Sequence, residues 1–453
     1  MKDILAIDVG TTSLKAGVFG EGLELLAEES IQYEFNLYKG GFADIHPDIW
    51  WEAFTHSCRK LSDKTSRVGV ISFSVTTPGL TPMGEDGTAL APAILFLDGR
   101  SHRQASLIRQ KVGEQRFLRE ACNLPVSGGS SLSSILWLKE HEPGIWDKTY
   151  KFGHCNTYFT RRLTGNWAID PSTVSITGLY NTAKNNLSYL DYVLEAAELP
   201  LEKLPQLMHS HEPVGEIKPA MAAALELPEE CKVLCGGNDA VLAAFSGGFT
   251  ETGDINNING TCEITSVCID KPIGAADYNI RCHVLPGKWV TFLVLNTGGK
   301  ALEWFHRVFC AEMEPDTYYG EYIPGVIEDY FKNRDPGHDD GLPEYVPFLQ
   351  GSRYSLEQLT AAFSKLSLET TREKMLMGLI RGNCSYHGEH LKKLADHVSL
   401  GKTVMTSGGG ARIRNYMRTQ EYWYGDFEFR YQDQSSLLGA AMLGEWYLRD
   451  HDT

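Results

Sequence analysis

The stretch Asp3-Ile4-Leu5-Ala6-Ile7-Asp8-Val9-Gly10-Thr11-Thr12-Ser13-Leu14-Lys15-Ala16-Gly17-Val18-Phe19 decides the fold. Ile4-Leu5-Ala6-Ile7 is a continuous apolar run of buried-strand type, and Leu14 through Phe19 resumes with rough alternation. The segment from Asp8 to Ser13 is a tight turn, so the whole reads as a hairpin. A turn with one glycine and three consecutive hydroxyl residues can wrap N–H groups and hydroxyls around a phosphate. A carboxylate at the end of the first strand, Asp8, can hold Mg²⁺ through water, because Mg²⁺ keeps most of its hydration shell. Read structurally, the same turn is a hairpin stabilised by its own Asp and Thr side chains. The turn alone leaves both readings open. It is not a P-loop, which requires G-x-x-x-x-G-K-[ST] ahead of a helix.

Downstream, Pro47 through Phe54 reads as a helix with Pro and Asp in its first turn, and Val68 through Val75 as a strand. Alternating strands and helices predict an α/β fold. About 250 residues after the first hairpin, Asp254 through Cys268 again reads strand, Gly-Thr turn, strand. Two domains of one fold or a chance match both account for so short a repeat. The domain boundary is expected near residues 246–253, where Gly and Thr cluster, giving domains 1–248 and 249–453. Two further units read strand, glycine turn, helix. The first is Lys232 through Gly248, with Gly236-Gly237-Asn238-Asp239 at its turn. The second is Lys402 through Tyr422, with Gly408-Gly409-Gly410 at its turn and a helix expected over 411–422. Asp239 at a helix start is either an N-cap or a general base aimed at a substrate hydroxyl. The triple glycine is either a close approach of backbone to a nucleotide or a flexible turn.

The 453-residue chain carries a formal net charge of −16, which disfavours nucleic acid as a partner. No apolar run approaches the roughly 18 residues of a membrane span, and the start lacks a signal-peptide core, so a cytoplasmic setting is expected. The ten cysteines fit no zinc spacing and are expected to be reduced thiols. His387 and His390, with Glu389 between them, are expected on a solvated helix face. Gly337-His338-Asp339-Asp340 reads as an acidic surface loop. Trp50, Trp51, Trp137 and Trp304 read as core anchors.

Taken in order, these pieces resemble the FGGY carbohydrate kinases of the actin/hexokinase/Hsp70 ATPase superfamily. The resemblance spans nearly the whole chain. Beyond the two hairpins and two glycine turns it rests on several stretches: Asp44-Ile45-His46-Pro47-Asp48-Ile49-Trp50-Trp51; Pro92 through Arg100; Arg162-Leu163-Thr164-Gly165 with Asp170 and Ser172; Pro213 through Ile217; Asn296 through Trp304; and Gly439-Ala440-Ala441. It implies two duplicated ribonuclease H-like (actin-like ATPase) domains with an interdomain cleft. The first would hold the acceptor sugar and the first phosphate loop, the second the nucleotide. It implies ATP and Mg²⁺ as cofactors and transfer of a phosphoryl group to a sugar, ketose or polyol hydroxyl. Asp239 falls on the catalytic base and Asp8 on the carboxylate associated with Mg²⁺. Gly10, Thr11, Thr12, Ser13, Gly260, Thr261, Gly298, Gly409 and Gly410 fall on the nucleotide side. Thr76, Thr77, Asp98, Asn238 and Asp239 fall on the acceptor side. The partner is then a small sugar or polyol, without nucleic acid or membrane, and a homodimer stays open. An actin/Hsp70-type ATPase acting on a protein, or a degenerate sugar sensor, are the alternative readings.

The chain departs from the family pattern in places. Val75-Thr76-Thr77 stands where sugar kinases often carry Gln, His or Arg-Glu. Phe96 replaces a usual Trp. Ser352 lies where many members have Glu, Cys262 replaces a common Ser, and Arg418 stands for a usual Gln. These changes bear on acceptor identity and on fine nucleotide contacts.

Overall fold

The computed structural model describes residues 2–334 and 341–451. The Gly337–Asp340 stretch expected as a surface loop lies outside the described residues. The chain forms two compact units. The first comprises residues 1–248, 270–290 and 434–453, and the second comprises 249–269 and 291–433. Two segments beyond residue 248 therefore belong to the first unit.

The opening stretch forms the expected hairpin. β1 (Asp3–Val9) and β2 (Ser13–Phe19) pair antiparallel, from Ile4 opposite Phe19 to Val9 opposite Leu14. β3 (Leu25–Gln32) pairs antiparallel with β2. After helix α1 (Pro47–Lys60), β4 (Val68–Val75) lies parallel to β1 on its other side. β5 (Pro213–Glu216) and β6 (Lys232–Leu234) complete the order β3-β2-β1-β4-β6-β5. β4 is buried along its whole length and β1 at every position but the half-buried Asp8, as central strands covered on two faces must be. α1 starts with Pro47 in its first turn and buries Trp50, Ala53, Phe54, Ser57 and Cys58, the one-sided spacing of an amphipathic helix. The C-terminal helix Ser436–His451 packs on β1 and β4 through small residues. A Cβ on Gly439 would meet the Leu242 carbonyl oxygen at 2.1 Å, and one on Gly444 would meet Ile4 at 2.6 Å. Glycine at both positions lets this helix lie close to helix Asp239–Ser246 and to β1 within the first unit.

The second unit repeats the plan. β7 (Ile255–Asn259) and β8 (Glu263–Ile269) form an antiparallel hairpin, Ile255 opposite Val267 and Asn259 opposite Glu263. β9 (Trp289–Leu295), β10 (Thr403–Ser407) and β11 (Glu428–Tyr431) give the run β9-β8-β7-β10-β11, with β10 parallel to β7 and β11 parallel to β10. In each unit, strand one is flanked by strand two on one side and by a parallel fourth strand on the other. The two Gly-Thr hairpins are thus equivalent elements of one duplicated α/β topology.

Two sequence expectations are corrected. The helix after the triple glycine does not start at Ala411. A single 3₁₀ turn (Gly410–Arg412) precedes Asn415 at φ 68°, and the α-helix runs over Tyr416–Tyr424. A left-handed residue cannot continue a right-handed helix, so the helix begins after it. His387 and His390 are not on a solvated face. On the helix Arg372–Ala395 both are buried, 0% and 3% exposed. Burial holds His387 neutral, with its pKa lowered to about 3. All ten cysteines are free thiols, nine of them buried and Cys262 half-buried.

Candidate active site

In the first unit the site grows from the ends of β1 and β4. The turn Gly10–Ser13 is closed by Gly10 N–H donating to Ser13 O at 2.9 Å, and Tyr33 Oη donates to both the Gly10 and Ser13 carbonyls. Asp8 sits opposite Lys15 in the hairpin and accepts from Ser74 Oγ at 2.7 Å. Burial raises the pKa of Asp8, and hydrogen bonds from Ser74 and Ser436 pull against that rise. Where β4 ends, Thr76 N–H donates to Val9 O at 2.8 Å. The hydroxyls of Thr11 and Thr76 then stand 3.3 Å apart, joining the turn to the acceptor-side pair Thr76-Thr77.

Asp239 arrives from another direction. Gly237 and Asn238 form a short strand segment paired with Ser74 and Val75. Gly236 before them has φ +75°, and a Cβ there would meet the Phe73 carbonyl oxygen at 2.5 Å, so only glycine fits. Helix α2 (Asp239–Ser246) follows, capped by Asn238, whose Oδ1 accepts from Val241 N–H at 3.1 Å. Asp239 Oδ1 accepts from Asn238 Nδ2 and from Ala240 N–H, each at 2.7 Å. Asn238 Nδ2 also donates to Thr77 Oγ1 at 2.7 Å. The Asn238 backbone is held by Ser172 Oγ at 2.9 Å, and Ser172 is in turn fixed by the buried carboxylate of Asp170. Asp239 as a residue is half-buried, and burial, then the nearby charge of Asp8, raise its carboxyl pKa to about 6. Arg281 opposes that rise.

Arg281 was not singled out by the sequence reading. It lies in the strand Asn279–Cys282, in the segment that returns to the first unit. It is buried, and its Nη1 donates to Thr77 Oγ1 at 2.7 Å and, at 3.5 Å, to the Ser172 carbonyl. The signal was a lone cation flanked by the apolar Ile280 and by Cys282. His154 is a second such residue. It is buried with Nε2 2.7 Å from Ser131 Oγ, and burial first, then Arg281, lower its pKa to about 3. Asp98, expected on the acceptor side, is buried and engaged elsewhere. It accepts from Ala43 N–H at 2.7 Å and pairs with Arg100 at 2.8 Å. Among the described residues no hydrogen bond links it to Asn238, Thr77 or Asp239.

In the second unit, Gly260, Thr261, Gly298, Gly409 and Gly410 gather at one end of the parallel strands β7 and β10. Gly260 N–H donates to Cys262 O at 3.0 Å, closing the second turn. Gly299 N–H donates to Gly260 O at 2.9 Å, and Lys300 N–H donates to Thr261 O at 3.2 Å, so helix α3 (Gly298–Phe309) begins against that turn. A Cβ on Gly298 would meet the Glu263 main-chain nitrogen at 2.7 Å. Gly408, at φ +89°, packs on Asn259, where a Cβ would lie 2.5 Å from the carbonyl oxygen. Gly409 by contrast is exposed, with open space where a Cβ would stand. Cys262 Sγ donates to Asn296 O at 3.4 Å, and Arg353 Nε donates to Asn296 Oδ1 at 3.0 Å. Arg418 is exposed and lies over the Phe331 ring, while the buried Gln420 donates to Asn257, Asn259 and the buried carboxylate of Glu263.

The model of the FGGY family of carbohydrate kinases, N-terminal domain, matches residues 3–246. The chain belongs to the FGGY family of carbohydrate kinases. Several of its relatives span nearly the whole chain. A xylulose kinase of Staphylococcus xylosus is 24% identical over 458 residues, covering 99% of this chain and 92% of its own length. A gluconokinase of Bacillus subtilis (strain 168) is 26% identical over 449 residues, covering 97% of this chain and 86% of its own. The crystal structure of xylulose kinase from Rhodospirillum rubrum superposes with a TM-score of 0.89 at 21% identity, over 98% of this chain and 89% of that one. This FGGY member is therefore a carbohydrate kinase with the two-domain actin-like ATPase fold. No helix among the described residues is long and apolar enough to cross a membrane.

Proposed function

We propose that this kinase transfers the terminal phosphoryl group of ATP to a hydroxyl of a sugar, sugar acid or polyol, with Asp239 as the general base. The observation that carries the reading is one connected set of polar groups. Asp239 is bonded to Asn238, Asn238 to Thr77, and the neighbouring Thr76 stands against Thr11 of the first phosphate turn. The proposed base and the proposed phosphate turn are thus linked by one run of polar side chains within the first unit. Phosphoryl transfer asks for little else from side chains than positioning, charge neutralisation and a group to take the acceptor proton.

The residues also suit the cofactors. Asp8 and Asp239 are carboxylates close enough for one charge to raise the other's pKa, a repulsion that a divalent cation relieves. Asp8 would hold Mg²⁺ largely through water, so few protein ligands are needed. Thr11, Thr12 and Ser13 offer hydroxyls, and Gly10 main chain, to terminal phosphates. In the second unit Gly260, Thr261, Gly298, Gly409 and Gly410 are the nucleotide-side loops. Bound Mg-ATP supplies the phosphoryl group and neutralises charge on its oxygens. Asp239 accepts the proton of the acceptor hydroxyl, and Asn238 orients that carboxylate. Relatives that are a xylulose kinase and a gluconokinase point to ketoses and aldonates as the first acceptors to try. ADP release measured over pentuloses, hexuloses, aldonates and alditols tests the reading. ADP release that no acceptor stimulates would sink it.

A further inference from the structure

We propose that Arg281 is the acceptor-specificity residue of this kinase, donating with Thr77 to a carbonyl or carboxylate oxygen of the acceptor. The inference rests on the kinase reading and extends it to the class of acceptor. It comes from how donors and acceptors divide around Asn238. Thr77 Oγ1 accepts from both Asn238 Nδ2 and Arg281 Nη1, each at 2.7 Å. A hydroxyl has two acceptor lone pairs and one donor. Both lone pairs of Thr77 are therefore taken, and among the described residues its O–H has no protein acceptor, which leaves the hydroxyl as a donor for a bound molecule. Arg281 itself is a permanent cation without acceptor capacity.

Thr77 and Arg281 thus present donors, while Asp239, which accepts from the same Asn238 Nδ2 as Thr77 does, is an acceptor. A molecule matching both offers a hydroxyl to Asp239 and an acceptor-only oxygen to Thr77 and Arg281. A hydroxyl next to a ketose carbonyl or a sugar-acid carboxylate meets that description. An alditol, with hydroxyls throughout, does so less well. The cation also offsets the negative charge of Asp239, which would otherwise repel an anionic acceptor. The neighbouring positions are small: Thr76 and Thr77 supply hydroxyls and no charge, so the charged contact comes from residue 281, on a strand more than 200 residues away in sequence.

The test measures KM and kcat for a pentulose, a hexonate and their alditols in wild type, Arg281→Met and Arg281→Lys, with KM for ATP and melting temperature alongside. Wild type should prefer the ketose or the acid over its alditol. Arg281→Met should raise KM for the preferred acceptor about 10–100-fold, the range of a lost charge-assisted hydrogen bond. It should shrink the preference over the alditol and leave KM for ATP unchanged. Arg281→Lys should restore part of the loss. The pentulose and hexonate arms separate carbonyl from carboxylate recognition. A folded Arg281→Met enzyme with acceptor KM and ranking within twofold of wild type overturns the inference alone. Failure of both variants to fold overturns it in favour of a structural tether. A wild type inactive on every acceptor overturns the kinase reading, and this inference with it.

Discussion

Asn238, and not Asp239, caps helix α2: its Oδ1 takes the Val241 N–H at 3.1 Å while its Nδ2 donates to Asp239 Oδ1 at 2.7 Å. One side chain thus performs the structural task that the sequence could equally have given to its neighbour. The Asp239 carboxylate, held by Asn238 Nδ2 and by the Ala240 N–H, is not the residue on which the cap depends. The two roles confounded in Gly236-Gly237-Asn238-Asp239 are separable by mutation.

Asp239→Asn keeps size and most hydrogen bonding but cannot take a proton. Turnover should fall by about 10²–10⁴-fold, the range of a general base, with the melting temperature close to wild type. Asn238→Ala removes the cap and should cost about 0.5–2 kcal/mol of stability. Steady-state kinetics and denaturant melts of both variants check the division. A folded Asp239→Asn enzyme with near-normal turnover would refute the base assignment.

The pKa of Asp239, raised to about 6 by burial and by Asp8, sets the pH response. A base works ionised, so kcat/KM should rise with pH through about 6 and level above it. Removing the opposing charge with Arg281→Met should move this limb to higher pH. Profiles of kcat/KM between pH 5 and 8 read it directly, and an activity flat across about pH 5–7 contradicts Asp239 as the titrating base.

His154 gives the folded protein an acid sensitivity of its own. Its folded pKa is lowered to about 3, against about 6.5 for an unfolded histidine. As pH falls through 6.5, the unfolded chain takes up the proton and the folded chain does not. Stability is therefore lost on acidification by up to about 1.4 kcal/mol per pH unit below that point. Carboxyls raised by burial, such as Asp170 and Glu263, act in the opposite direction, so the informative quantity is the difference between wild type and His154→Gln. Urea melts at pH 7.5, 6 and 5 should show that difference narrowing as pH falls. A difference independent of pH would mean that His154 titrates normally.

The parts of this molecule legible in its sequence are those written in local pattern. The run Ile4-Leu5-Ala6-Ile7 followed by Gly-Thr specifies a hairpin without knowledge of anything distant, and Ile255–Ile269 repeats it. The helix after Gly410 was misplaced because one Asn in the left-handed region, Asn415, carries no strong signal of its own. His387 and His390 read as solvent-facing because polar residues at helical spacing look the same over water and over a buried carboxylate. Here His387 Nε2 lies 3.9 Å from Glu263 Oε2. Arg281 was out of reach for a different reason. Its position beside Thr77 depends on residues 270–290 joining the first unit, a long-range event that no window of sequence contains.

Gly408 and Gly409 are adjacent and chemically identical, yet their environments predict opposite outcomes. Gly408 sits at φ +89° with the Asn259 carbonyl oxygen 2.5 Å from where a Cβ would be. Gly408→Ala must shift backbone, and positive φ adds strain, so a loss of about 1–3 kcal/mol is expected. Gly409 has ordinary helical dihedrals, φ −65° and ψ −37°, and nothing within 4 Å of its Cβ position. Gly409→Val should therefore fold with near-native stability. If the nucleotide lies along this turn, as proposed, the new side chain occupies space the ligand needs, and KM for ATP should rise by tenfold or more while KM for the acceptor stays put. Melting temperature separates Gly408 from Gly409, and the two KM values separate nucleotide from acceptor. A stable Gly409→Val enzyme with unchanged KM for ATP would remove Gly409 from the nucleotide site.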